Sequence, residues 1–173
     1  MSYYCIKCKM NKEDSVSKEI REALLEQDPH AQALFPKRTV NEKQKDKTWK
    51  SVTKALLPGY LLISTCVKPT ELQPIVIAIK HANYVLRYNS KMYSLEAGDK
   101  AYAEWIFNNE GILKPSQVLL EPGERIRVLS GPLLGMEGKI VRVKKRERRA
   151  YIELPFAETC NTISLSIDIL TKV

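Results

Sequence analysis

The stretch "GERIRVLSGPLLGMEGKIVRVKKRERRAYIELPF", residues 123–156, decides how the second half of the chain folds. Gly131, Gly135 and Gly138 allow positive φ and close backbone approach, so the chain can bend sharply between "RIRVL" and "KIVRV". In the second of these strands Val141 and Val143 face one way, and Arg142 and Lys144 the other. The strand then runs into "KKRERR", a turn whose cations repel one another and add nothing to a core. Such a turn suits a phosphate backbone; a solvated loop is the alternative reading. Aromatic interleaving that could stack bases is limited to Tyr151.

Working outward, "RAYIELPF", "NTISL" and "IDIL" are further short strands, and nothing helical remains after the bend. About fifty residues of pure β sequence predict a small closed barrel. Just upstream, "ILKPSQVLLEPGE" holds two prolines and a glycine without periodicity. It predicts a linker over 114–122 that separates a domain of residues 1–113 from one of 123–173.

The first half has a different texture. "YYCIKC" alternates as a strand, and "NKEDSVSKEIREALLEQDP" carries Val16, Ile20, Ala23 and Leu24 at helical spacing, with Asn11 or Ser15 as cap and Asp28-Pro29 as stop. "ALFPKRTVNEKQKDKTWKSVTK" reads as two extended arms around a basic tip, and "GYLLISTCV" as a buried strand. "PTELQPIVIAIK" predicts a helix capped by Thr70, with Leu72, Ile75, Val76 and Ile79 inward. "YVLRY" follows as a strand, then "GDKAYAEWIFNNEG" as a short helix closed by Gly111. This order predicts an α+β sandwich with an antiparallel sheet.

Composition bounds the function. With 173 residues, 44% apolar content and 28% charge, the chain is globular and has room for one ordinary domain or two small ones. No apolar run is long enough for a membrane helix, and the first residues lack a secretion-signal core, so the expected location is the cytoplasm. The net charge of +8 is concentrated. Residues 37–54 hold seven cations against two carboxylates, and residues 139–149 hold seven against one. Two such runs at hairpin tips favour a nucleic-acid partner. Cys5 and Cys8 fall on opposite faces of a strand, His30 and His81 have no ligand-spaced neighbours, and neither a metal nor a cofactor is expected. The chain has no P-loop, H-E-x-x-H or G-x-S-x-G motif, which argues against an enzyme.

Residues 123–156 also resemble the KOW module that ends NusG-type transcription elongation factors, and "LLPGYLLI" resembles the PGY strand of their N-terminal NGN domain. "YYCIK" and "LFPKRTV" sit where that family has its first two strands, so the resemblance spans essentially the whole chain. It implies an NGN-like domain, a linker and a KOW-type barrel, in a monomer that rides on RNA polymerase. The family's NGN domain grips the clamp helices of the largest subunit through an apolar patch, here Tyr3, Leu56, Leu57 and Tyr60. Read from the residues alone, Tyr60 could equally be core. The resemblance gives Lys45, Lys47, Trp49 and Lys50 a contact with nontemplate DNA, although Trp49 could instead brace its own hairpin.

"KKRERRA" is similar to the LoaP group of NusG paralogues. That similarity implies antitermination through a nascent RNA hairpin, held by Arg142, Lys144, Lys145, Arg146, Arg148 and Arg149. General members carry a Phe-Gly-Arg type turn that holds a ribosomal protein or Rho. Here Phe156 is kept while Ala157 and Glu158 stand in the other two places, which sets those partnerships in doubt. The competing class is a structural RNA-binding protein of the ribosome, which leaves the α+β half unexplained.

Overall fold

A computed structural model of the chain describes residues 1–87, 93–121, 125–156 and 159–170. They form an α+β fold whose residues group into two compact units, Met1–Pro36 with Ala55–Gly111, and Lys37–Lys54 with Ile112–Val173.

In the first unit, strands β1 (Ser2–Cys8), β2 (Gln32–Leu34), β5 (Tyr60–Thr65) and β6 (Ala82–Val85) make an antiparallel sheet in the order β2-β5-β1-β6. Helices α1 (Glu13–Leu24) and α2 (Pro69–Ala78) supply Val16, Ile20, Leu24, Leu72 and Val76 to a core shared with Tyr4, Ile6, Leu61 and Ile63. The alternate residues of β1 meet α3 (Ala97–Asn108): the rings of Tyr3 and Phe107 lie 5.4 Å apart. With both faces covered, β5 can be apolar throughout, which is why "GYLLISTCV" shows no alternation. Cys5 and Cys8 are buried on opposite faces of β1. Burial pushes their thiols up to about 12 and about 11, the reverse of a metal-ready thiolate.

The helix ends differ from the sequence expectation. The cap position of α1 is Lys12, without a side-chain bond, and Ser15 Oγ donates back to the Lys12 carbonyl. The cap of α2 is Lys68, because Pro69 takes the first helical position in place of Thr70. The α3 terminus is closed by bonds from Glu110 N–H to the Phe107 carbonyl and from Gly111 N–H to the Ile106 carbonyl, a Schellman arrangement. The left-handed position that glycine normally fills there is held by Glu110, at φ 54°, next to Gly111 at φ 78°. Glu110→Gly should therefore stabilise the first unit by about 1 kcal/mol, removing both left-handed strain and an acid at a helix C-terminus. A lower midpoint in urea for the variant would contradict this account.

Asp28 does more than stop a helix. It is 2% exposed, and its carboxylate accepts bonds from Thr65 Oγ1 (2.7 Å), Cys66 N–H (2.8 Å) and His30 N–H (3.0 Å). The Cys66 backbone bond, then the Thr65 hydroxyl, lower its pKa from 3.8 to about 2. A depressed folded-state pKa gives stability that is complete above 3.8 and is lost as pH falls through about 2. Over that window the first unit should lose stability more steeply in the wild type than in Asp28→Asn, as read by urea midpoints at successive pH values. Equal slopes would remove Asp28 from the account.

The second unit holds two pieces. Strands β3 (Lys37–Lys43) and β4 (Trp49–Ala55) join β7 (Ile112–Leu113) in a three-stranded sheet, with β7 parallel to β3. Strands β8 (Ser116–Leu120), β9 (Ile126–Ser130), β10 (Ile140–Lys144), β11 (Arg149–Phe156) and β12 (Thr159–Leu170) form a five-stranded sheet in the order β10-β11-β12-β8-β9. Its core includes Val118, Val128, Leu133, Ala150, Ile152, Leu154, Phe156, Ile163, Leu165 and Ile167.

Two corrections follow. The segment expected as a linker contains β8, paired with β12 on one side and β9 on the other, with Ser116 and Val118 fully buried. Its flanking prolines mask a strand whose side chains do alternate. The basic hairpin 37–54 groups with the C-terminal residues and not with residues 1–36, for a reason no local pattern carries. Arg38 Nη1 donates to the Ser164 carbonyl and hydroxyl, and Asn41 N–H to Ser166 Oγ (2.9 Å), both on β12.

Candidate nucleic-acid interface

The cationic turn is built by a single helical turn of the 3-10 type, Lys145–Glu147, between β10 and β11. Arg148 closes it in the left-handed conformation, φ 52° and ψ 51°, with its N–H on the Lys145 carbonyl (3.1 Å). Glycine would occupy that position without strain; here an arginine bears it. Register pairs Lys144 with Arg149, Val143 with Ala150 and Arg142 with Tyr151. The Tyr151 ring therefore lies 6.0 Å from the Arg142 guanidinium and 5.7 Å from the Lys144 ammonium.

The six basic residues are not equivalent. Lys144 Nζ donates to Glu147 Oε1 at 2.8 Å, which raises the lysine pKa and lowers that of the glutamate. Arg142, Lys145, Arg146 and Arg148 are exposed, and Arg149 is half-buried. Arg148 leaves its own hairpin altogether: its guanidinium carbon stands 5.1 Å from the centre of the Trp49 ring.

Trp49 opens β4 just after the turn of the other basic hairpin. That turn is closed by Gln44 N–H on the Thr48 carbonyl (2.8 Å), with Lys47 at φ 68° and the Asp46 carboxylate accepting from both the Thr48 N–H and hydroxyl. Lys45, Lys47, Trp49 and Lys50 are all exposed. The remaining hairpin acid, Glu42, is bonded to Lys54 Nζ, and Arg149 further lowers its pKa. The structure thus brings Trp49 to Arg148 of the β10–β11 turn. Trp49 among lysines was the only signal in the sequence; its partner, about a hundred positions away, gave none.

The apolar positions divide differently. Tyr60 begins β5 opposite Lys7, whose ammonium lies 3.9 Å from the ring centre, and Tyr60 N–H bonds the Leu57 carbonyl (3.1 Å). Leu56 and Leu57 are half-buried in the same turn, with Leu56 N–H on the Pro36 carbonyl. Tyr3 shares the Tyr60 face of the sheet but pairs with Ser64, four positions along β5 and roughly 13 Å away. Leu56, Leu57 and Tyr60 are brought together, whereas Tyr3 sits under Phe107. Sequence reasoning missed what holds the turn: the Glu13 carboxylate, 5% exposed, accepts the Gly59 N–H at 2.8 Å. Phe156 is in the core of the second unit, and the Ala157–Glu158 departure lies outside the described residues.

Among the described residues no group of three or more His, Cys, Asp or Glu side chains converges to hold a metal, and no helix is long and apolar enough to cross a membrane. Compared with known proteins, residues 1–98 match the family described as transcription termination factor nusG. NusG from Thermotoga maritima is similar in structure, with 14% sequence identity, a TM-score of 0.50, and coverage of 95% of this chain and 93% of that one. Chains of the MjSpt4:Spt5 complex in conformations B and A have 11% and 12% identity and TM-scores of 0.32 and 0.34. They cover 95% and 94% of this chain and 91% of each of those. No curated protein matches. The family match covers more than half of the chain, and the α+β fold agrees with it: the chain belongs to the NusG family of transcription elongation factors.

Proposed function

We propose that this NusG-family factor is an antiterminator of the LoaP type, which holds RNA polymerase through its first unit and a nascent RNA hairpin through the β10–β11 turn of its second. Factors of this family are non-enzymatic and bind RNA polymerase. In this reading Leu56, Leu57 and Tyr60 meet the clamp helices of the largest subunit, with Tyr3 at the margin. Arg142, Lys145, Arg146, Arg148 and Arg149 meet RNA, with Lys144 contributing once Glu147 is displaced. Strands β8 to β12 act as the KOW module of a cytoplasmic monomer.

The observation that carries the RNA reading is Arg148, a strained, exposed arginine at the tip of a turn that glycine would close without strain. Arg148 gains the Trp49 ring as a neighbour and stays exposed, which keeps its charge at the tip where a phosphate- or base-contacting turn uses it. A ribosomal RNA-binding role would use the same turn but gives no use to the family-matched residues 1–98.

The test is a salt titration of the whole chain on an RNA stem-loop selected from a random-loop library. About five phosphate contacts predict a slope of log affinity against log salt of roughly −3 to −4. Lys145→Ala should reduce the slope by somewhat under one unit on every RNA. An arginine that reads the loop should cost roughly 1–3 kcal/mol on the selected RNA and less on a scrambled one. Salt-insensitive binding, or Arg146→Ala and Arg149→Ala indistinguishable from wild type, would sink the RNA reading.

A further inference from the structure

We infer that the two basic hairpins form one RNA site, in which a single-stranded loop base stacks on Trp49 beside Arg148 while its flanking phosphates meet lysines of the 37–54 hairpin and arginines of the β10–β11 turn. This deepens the proposed RNA function and rests on it. It reassigns Lys45, Lys47, Trp49 and Lys50 from a separate DNA contact to the RNA site.

Three observations carry it. The hairpins are anchored to one another through β12: Asn41 N–H bonds Ser166 Oγ, and Ser166 is the register partner of Arg149. In the basic runs 37–54 and 139–149 Glu42 is bonded to Lys54 and Glu147 to Lys144, while Asp46 keeps its charge beside Thr48, and the seven cations of each run outnumber these acids.

In these hairpins two rings carry a guanidinium within cation–π reach, the exposed Trp49 with Arg148 at 5.1 Å and the half-buried Tyr151 with Arg142 at 6.0 Å. Alternating aromatic faces and guanidinium groups on a cationic surface is what single-stranded nucleic acid requires, since bases stack on the rings while phosphates meet the charges. Arg148 lies against Trp49, and the residue remains 36% exposed, which leaves surface for a base to stack on. A paired helix offers no free base face, which fixes the ligand as a loop rather than a stem.

The experiment uses the whole chain and the selected stem-loop, with the same stem closed by continued pairing and a DNA strand of the loop sequence as comparisons. Trp49→Ala should weaken stem-loop binding about tenfold, Trp49→Phe should recover most of it, and binding to the closed stem should be weak for all three. In a Trp105→Phe background, Trp49 emission should be quenched by the stem-loop. With Lys45 and Lys50 added to the five turn contacts the slope should steepen to roughly −5 to −6, and Lys45→Ala with Lys50→Ala should bring it back by between one and two units. If Arg146→Ala and Arg149→Ala weaken binding while Trp49→Ala and Trp49 emission do not respond, the RNA function stands and the shared site falls. The shared site also falls if the DNA strand alone quenches Trp49. If Trp49→Ala lowers the melting temperature and Trp49→Phe fails to rescue binding, Trp49 is a brace and the inference is overturned. If no loop is enriched, the RNA function itself falls.

Discussion

Gly131→Ala should destabilise the second unit by about 3 kcal/mol or more, whereas Gly135→Ala should cost about 1 kcal/mol and Gly138→Ala nothing measurable. The three glycines look alike in the sequence and differ in their surroundings. Gly131 has φ +93°, and an added Cβ would lie 2.8 Å from both Cα and Oγ of Ser116. Ser116 cannot retreat: it is fully buried, it pairs with Ile167 of β12, and its Oγ accepts the Leu133 N–H at 3.0 Å. Overlap with main chain is then added to left-handed strain. Gly135 has φ +76° but open space around it, so only the strain remains. Gly138 has neither constraint. Urea unfolding followed by Trp49 emission in a Trp105→Phe background reads the second unit. Equal midpoints for the Gly131 and Gly135 variants would show that the β9 end does not press on β8.

The same residues show why the sequence carried part of this fold and not the rest. Periodicity found the strands and helices of the first unit because their burial is local in origin: α1 places Val16, Ile20 and Leu24 inward at the spacing the pattern gives. Caps were misplaced because Pro69 and Lys12 take positions that a rule for polar caps assigns to Thr70 and to Asn11 or Ser15. β8 was hidden because prolines on either side read as a linker, although Ser116 and Val118 alternate into the core. "NTISL" and "IDIL" proved to be one strand, β12, whose apolar–polar sequence alternation runs on through Ser166 and Ile167, although Leu165, Ser166 and Ile167 are all buried.

The candidate site was legible as composition and not as geometry. Charge counting located both basic hairpins, and the glycine bend with its cationic strand located the turn. Nothing in the sequence could place Arg148 on Trp49, because that contact depends on β3 bonding to β12 through Arg38 and Asn41. Likewise the Pro58-Gly59-Tyr60 turn was visible, but Glu13 and Lys7, which hold it, were not. Such residues become functional only through pairings between distant segments.

Tyr60→Asp should weaken binding to RNA polymerase by about 2 kcal/mol or more, roughly thirtyfold, and leave the melting temperature nearly unchanged. Tyr60 is half-buried and its ring is capped by the Lys7 ammonium. An aspartate at that position meets Lys7 as an ion pair, so the first unit keeps a favourable contact while losing the aromatic anchor. Leu57→Asp has no such partner and should lower both affinity and melting temperature, which makes it the less informative variant. Glu13→Gln separates anchor from support. It can still accept the Gly59 N–H through its amide oxygen, so the turn should persist and the affinity stay within about threefold of wild type. Glu13→Ala instead leaves a buried N–H without an acceptor, and should lose affinity through a turn that no longer holds Tyr60 in place. The measurements are equilibrium binding to polymerase core and thermal melting on the same preparations. Unchanged affinity for Tyr60→Asp would move the polymerase contact away from this turn. A collapsed melting transition for Tyr60→Asp would return Tyr60 to the core, in spite of its half-buried position beside Lys7.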